Sequence, residues 1–402
     1  MNSIPYRALS LLLPVLSALA FPAFLAADFG VILNEQFDAE LRDGEELSSK
    51  TVLAPWFSLP LGDRAELYLS AGGSVYYREE GTDLFPELFH LEISLMPASS
   101  LTLRAGRIDY QDPSLFTAKG RFDGLDLSWD PGPLRLSLGA YYTGFLYRNT
   151  ANISVSPGDP ADYGTVLDYG DFAATYFAPR RALGALQIEY PGFIVNRGTF
   201  HAGLLSQYDL SDAGEKLHTQ YLLLRYALSL PGGLDLGAAG AASLRVPGGG
   251  KAAFASSLEA GILLPGGLQD RISLGVRWAS GEGPSTAAYF PVVKEAQGRV
   301  IKSGFSGLMI VSAEYEARFL SSLSAELGGR YFLRTDSASF TDPYLEGDSR
   351  LLGLEVSLSV LWAPFSDLSF SFGGGIFLPG TGEALREAPL YGQLTAVAIV
   401  SF

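Results

Sequence analysis

The chain has 402 residues, a net charge of −15 and no cysteine, with 46 glycines and 20 tyrosines. The acidic balance argues against a nucleic-acid partner, which needs clustered Lys and Arg. The missing cysteine excludes disulfides, thiol nucleophiles and Cys-ligated metals, and at this length one large barrel is as admissible as two or three soluble domains.

The amino terminus reads MNSIPYRALSLLLPVLSALAFPAFLAADFG, where Arg7 is the only charge before an apolar run that ends at Ala26 and Ala27. That order of charge, apolar run and small residues predicts a secretory signal peptide over 1–27, cleaved after Ala27. No later stretch reaches about 18 apolar residues, so the mature chain, 28–402, does not cross a membrane as helices.

Beyond Ala27 the chain is a series of short segments with an apolar residue at every second position. LTLRAG, LRLSLGAYY, ISLGVRW, LSAELGGRYFL and LSFSFGGGIF are examples. Period two gives a strand with one apolar and one polar face. The pattern predicts strands near 28–37, 51–59, 65–78, 87–96, 101–109, 121–130, 133–147, 181–190 and 197–208. It continues through 217–230, 233–245, 251–264, 269–280, 305–318, 321–335, 350–363, 366–378 and 390–402. That makes about eighteen strands; the first two and 181–190 alternate most weakly, which leaves sixteen as the lower count.

Connections alternate in length. PASS (97–100), DPGP (130–133), PGG (231–233), PGGLQD (265–270) and APFSD (363–367) are short, whereas 38–50, 110–120, 148–180, 281–304, 336–349 and 379–389 are long. Short turns at one end and long loops at the other predict an all-β fold, a transmembrane antiparallel up-and-down barrel of the outer-membrane type. A soluble sandwich gives no reason for one-sided loops and would leave edges to protect. Trp129 and Trp362 precede short turns, and Tyr76, Tyr77, Tyr141, Tyr142, Tyr147, Tyr331 and Phe332 stand near loop ends, as two aromatic girdles require.

The chain ends on LTAVAIVSF. A spanning sheet leaves no unpaired backbone in lipid, so this last strand is expected to close the barrel on the first. Leu394, Ala396, Ala398, Val400 and Phe402 then form the outward face. They resemble the carboxy-terminal assembly signal of bacterial outer-membrane proteins, which implies recognition by the outer-membrane assembly machinery.

Parity assigns the lumen. A Lys or Arg at mid-membrane in lipid costs about 2–4 kcal/mol, so the charged parity is the inward one. The inward, selectivity-bearing set is His90, Glu92, Arg104, Asp126, Arg135, Arg225, Glu259, Arg277, Glu314, Glu316, Glu326, Arg330, Arg334 and Glu355. Glu326 is expected to reach Arg330, and Asp126 to reach Arg104 or Arg135. A barrel this wide with a polar interior encloses water. The loop 149–181, with Val166, Leu167, Tyr169, Phe172, Tyr176 and Phe177 as apolar anchors, is the first choice for a constriction and 281–304 the second.

The unit LRAGRIDYQDPSLFTAKGRFDGLDLSW, Leu103 to Trp129, resembles the Gly-Arg and Phe-Asp-Gly strands of alginate-export porins, with Gly106, Arg107, Phe122, Asp123 and Gly124 matching. The resemblance implies an eighteen-stranded barrel passing anionic or polar solutes. His90, His201 and His218 stand outside any HExxH or nucleophile-elbow motif, so no enzyme, catalytic residue, metal or cofactor is expected. The expected function is passive diffusion of small polar or charged solutes across the bacterial outer membrane. Its partners are the bilayer, lipopolysaccharide or an equivalent outer-leaflet lipid, and those solutes. The alternative is a surface adhesin or structural barrel with an incidental pore.

Overall fold

The structure is a computed structural model that describes residues 27–402 except 43, 79–80, 160–166, 195, 212–215, 247–249, 337–341, 343 and 346–348. The predicted leader therefore lies almost wholly outside the described residues, and the first strand starts at Asp28.

Alternating sequence becomes strand throughout. In chain order the strands are β1 (Asp28–Leu41), β2 (Glu45–Pro60), β3 (Ala65–Arg78), β4 (Gly81–Ala98), β5 (Leu101–Gln111), β6 (Lys119–Trp129), β7 (Arg135–Tyr142), β8 (Arg181–Pro191) and β9 (Gly198–Asp209). They continue as β10 (His218–Leu230), β11 (Leu234–Val246), β12 (Ala252–Leu263), β13 (Arg271–Ala279), β14 (Leu308–Leu320), β15 (Leu323–Arg334), β16 (Leu351–Phe365), β17 (Leu368–Leu378) and β18 (Tyr391–Ser401). Each pairs antiparallel with its sequence neighbours in one 18-stranded sheet, and β1 pairs with β18 to close it. Closure reaches the last residue, where Phe402 N donates to Val31 O (2.9 Å) and Val31 N to Phe402 O (3.1 Å). The expected fold and strand count hold.

The outward faces carry an apolar belt no water-soluble surface would tolerate. Leu258 is 62 % exposed, Leu394 64 % and Phe402 78 %, and Trp129 and Trp362 join the belt beside their turns. No helix among the described residues is long and apolar enough to cross a membrane.

Two expectations about the ends need correction. Segment 38–50 is not a long loop: β1 and β2 form a hairpin whose ladder runs to Leu41–Glu45, because the apolar alternation of the outward face continues through Phe37, Leu41 and Leu47. The outer aromatic girdle is also incomplete. Tyr77 is exposed, whereas Tyr141, Tyr147 and Phe332 are buried in clusters beneath the loops.

Those clusters reveal a division parity did not. Near the turns the inward residues are mostly charged or small, apart from Trp56 and Tyr68 stacked beside His90; near the loops they become Ile108, Tyr110, Phe122, Leu183, Leu205, Tyr221, Leu223, Ile310 and Phe377, all buried. The loops cover them. Segments 112–118, 143–180 and 280–307 are joined by Val292 N to Thr117 O (2.8 Å), Ser154 N to Val292 O (2.9 Å) and Lys294 N to Asn152 O (2.7 Å). Tyr289, Val292 and Phe305 from 280–307 pack into the same cluster as Phe116 and Ile153.

One seam interrupts the wall. The β4–β5 ladder climbs from Ala98–Leu101 to Leu91–Arg107 and stops, at Gly106, whose φ of +124° bends β5 away. A non-glycine residue there would be strained and would meet the Leu91 carbonyl. Side chains satisfy the β4 edge instead. Arg107 donates to Leu88 O (2.5 Å), Arg121 to Phe89 O (3.2 Å), Tyr176 to Pro86 O (2.7 Å), and Tyr169 to Leu84 O. Arg107 is itself held bidentate by Asp123 at 2.9 and 2.9 Å. Matched side chains thus replace the missing ladder, since buried backbone groups do not stay unpaired.

Candidate functional site: a charged lumen crossed by a loop

Register stacks inward charges from different strands into rows. On the row nearest the turns, Arg271 of β13 stands opposite Glu316 of β14, and Glu316 opposite Glu326 of β15. Higher up, Arg330 of β15 faces Glu355 of β16, and Arg225 of β10 faces His201 of β9, which faces Glu189 of β8. Period-two side chains and a fixed register leave these groups no other direction but inward.

Seven of the residues named from parity line one cavity of about 930 Å³: Arg225, Glu259, Arg277, Glu314, Glu316, Glu326 and Arg330. Its charges are partly matched. Arg330 holds Glu314 at 2.5 Å and Glu355 at 3.8 Å, Arg277 reaches Glu259 at 3.5 Å, and Arg271 reaches Asp235 at 3.3 Å. The expected Glu326–Arg330 pair does not form; Arg330 is drawn across the ladder to Glu314, and Glu326 confronts Glu316. Like charges directly opposite are unfavourable in a ladder, so these two carboxylates keep an acidic patch on β14–β15 open to water or cations.

The other named residues lie elsewhere. Arg104 meets Asp126 at 3.1 Å, one of the two partners expected, and the Tyr141 hydroxyl donates to the same carboxylate at 3.1 Å. Arg135 goes to Asp130 (2.8 Å) and Glu189 (3.7 Å) beside a turn. His90 contacts Glu92 at 3.1 Å. Arg334 and Glu355 do not face open water. Arg334 is buried with its Nε donating to Ser349 O (2.6 Å), and Glu355 is 1 % exposed beneath a loop.

Glu355 explains which loop enters the cavity. Its carboxylate accepts three consecutive backbone N–H groups, from Arg299 (2.8 Å), Val300 (3.0 Å) and Ile301 (3.0 Å). Ile301 is sealed among Leu308, Ile310, Phe332, Leu352 and Phe377. The segment 295–299 consequently lines the charged cavity, so the second-choice loop supplies its loop-borne wall. The described part of 149–181 also folds inward, but higher. Leu167 and Tyr176 pack with Phe85 and Tyr147, and buried Arg181 ties Asp209 (2.8 Å) to Asp159 of the same loop. Val166 lies outside the described residues.

A second cavity of about 380 Å³ lies between β4–β6 and the loops, lined by Glu87, Phe89, Arg107, Phe122, Tyr147 and Lys294 among others; it shares Glu295 with the larger one. Groups in the loops show how closed this region is. Burial pushes the Tyr147 and Tyr176 hydroxyls up to about 12. Burial also raises Asp112, although Ala118 N (2.7 Å), Ser114 N (2.7 Å) and Thr117 N (3.0 Å) donate to it and close the 112–118 turn.

Sequence reasoning missed several members. Arg271 and Asp235 share the inward parity of Arg277 and Gly237, so alternation already marked them. Glu295 and Arg299 sit in a loop with no periodicity, and nothing local announced them. The positions behind the alginate-export resemblance, Gly106, Arg107 and Asp123, are the parts of the β4–β5 seam.

No family model and no curated protein matches the chain, and the alginate-export resemblance gains no support there. Solved structures do match. The chain is similar to the crystal structure of the outer membrane protein OprD from Pseudomonas aeruginosa, at 14 % identity over 94 % of this chain and 93 % of OprD, with a TM-score of 0.61. It is similar to OccK11 (OpdR) of the same organism, at 13 % identity over 94 % and 96 % of the two chains, TM-score 0.61. OccK2 (OpdF), solved in complex with glucuronate, gives 13 % identity over 94 % and 98 %, TM-score 0.59. At these identities the likeness establishes the fold: this chain is a closed 18-stranded barrel of the kind these outer-membrane proteins adopt.

Proposed function

We propose that the protein is a porin of the bacterial outer membrane, through which small polar or charged solutes diffuse passively. The carrying observation is the charged cavity of about 930 Å³ inside a closed barrel whose outside is apolar. Charges of both signs line it, and water-filled lumens of this width conduct. The outer-membrane neighbours, one of them with glucuronate bound, support the same reading. Asp28 as the first strand residue suits export on a leader cleaved after Ala27. The exposed belt suits a bilayer bearing lipopolysaccharide, and the strand ending at Phe402 suits delivery by the assembly machinery.

Refolded mature protein in a planar bilayer tests the proposal. Steady current steps are expected, with weak ion preference because most lumen arginines are already matched by carboxylates. Silence from a folded, heat-modifiable barrel would refute it and leave the surface loops as the seat of function.

A further inference from the structure

The geometry points to Arg299 as the residue that sets ion preference in this lumen: a cation carried in on the inward loop, not built into the wall. The inference rests on the porin reading and goes beyond it by assigning the discriminating charge to one side chain.

Arg271, Arg277 and Arg330 each already hold a carboxylate. Arg299 does not. Its Nη2 donates to the neutral Ser359 hydroxyl at 2.5 Å, and among the described residues it enters no ion pair. Its backbone is fixed by Glu355, so the charge sits at one place in the cavity.

The barrel wall is cut to receive it. Ser359 stands opposite Gly373 of β17 and opposite Glu326 of β15. A Cβ at Gly373 would collide with the Arg299 guanidinium, and one at Gly375 would come within 2.9 Å of Val300. Glycine costs a strand packing and entropy, so glycines under one arginine mark a groove for that side chain.

The charged groups around Arg299 come from several elements. Glu355 is occupied by the loop backbone and Arg330 by Glu314, while Glu326 and Glu316 continue the Ser359 row on β15 and β14. Arg225 is the other cation of the cavity outside any ion pair among the described residues, and it lies on β10 among wall residues. A permeating anion thus meets Arg299 as an unneutralised charge opposed by the acidic patch. A cation meets the same two groups with the signs reversed.

The absence of native cysteine permits a direct test. Arg299→Cys is reconstituted in a bilayer under a potassium chloride gradient, and the reversal potential is read before and after methanethiosulfonate reagents of opposite charge. Loss of the charge is expected to lower the chloride-to-potassium permeability ratio by up to about twenty-five-fold, since one unit charge at contact distance through water favours chloride about fivefold and disfavours potassium about fivefold. The ammonium reagent should restore the ratio and the sulfonate reagent should lower it further.

An unchanged reversal potential in all three states, with current flowing, overturns the assignment and leaves the pore reading intact. Failure of either reagent to label Arg299→Cys, checked by mass, also overturns it, because the position would then lie off the water path. A wild-type barrel that does not conduct overturns the porin reading and this inference with it. Should Arg299→Cys alone be silent, Arg299→Lys is read instead: wild-type preference is expected, and a conducting Lys channel that has lost it refutes the role of charge.

Discussion

Removing Glu355 should free the inward loop while leaving the barrel standing. The carboxylate accepts three loop N–H groups at 2.8, 3.0 and 3.0 Å and is 1 % exposed. Each hydrogen bond to a charged acceptor contributes about 1.5–3 kcal/mol. The three share one acceptor and one loop, so they are coupled and do not simply add. Arg330 is not orphaned by the change, since Glu314 holds it at 2.5 Å, and Ile301 keeps its apolar socket. The local cost of Glu355→Ala is therefore about 3–5 kcal/mol, since each of three loop N–H groups left without an acceptor costs about 1–3 kcal/mol and part of that is recovered by the freed loop. Amide hydrogen exchange at 299–301 should accelerate by about a hundredfold to a few thousandfold, at one decade per 1.4 kcal/mol. Peptides from β1, β9 and β18 should exchange as in the wild type. Glu355→Gln, which keeps one acceptor oxygen, should fall between. Unchanged protection at 299–301 in a folded Glu355→Ala barrel would refute the anchoring argument.

Arg107→Ala should open the β4–β5 seam, since it strips Leu88 O and Phe145 O of their donor and leaves Asp123 without its bidentate partner. We expect about 3–5 kcal/mol of destabilisation, measured by urea unfolding in lipid vesicles, and new protease cleavage near 84–89. Equal stability would show that the seam is held by the loops alone. In the loops, the Lys251 ammonium at 3.0 Å holds Glu282 below the usual carboxylate range, against an opposing effect of burial. Because the folded value is the lower one, this contact supports the loop above the ordinary Glu value of about 4.3 and is lost as pH falls through the depressed value. Carbon-13 titration should show Glu282 returning toward its ordinary value in Lys251→Met; an unmoved titration refutes the cause. Deleting Phe402 should lower the amount inserted in cells several-fold while refolding in detergent persists. Equal insertion would remove the assembly-signal reading.

Most of the architecture was legible in the chain because a spanning barrel obeys a local rule. Lipid outside and water inside impose period two on every strand, and LGLEVSLSVLW or LSFSFGGGIF states that rule within a dozen residues. Even the Arg104–Asp126 pair was legible, since cross-strand neighbours need only parity and register. The rule fails where neither solvent reaches. The inward ends of β5, β6, β10 and β15 turn apolar at Ile108, Phe122, Leu223 and Phe332 because loops cover them, and no local pattern says which loop will do so.

By itself, then, the sequence determined the strands, their faces, the closure at Phe402 and much of the charged wall, all consequences of alternation against two solvents. The tertiary structure decided the rest. Residues far apart in the chain had to meet before Glu355 could become a loop anchor, Glu326 a partner of Glu316 in place of Arg330, and Arg299 a charge inside the lumen. Contacts at long sequence separation depend on loop paths, and loop paths leave no periodic mark on the residues that make them.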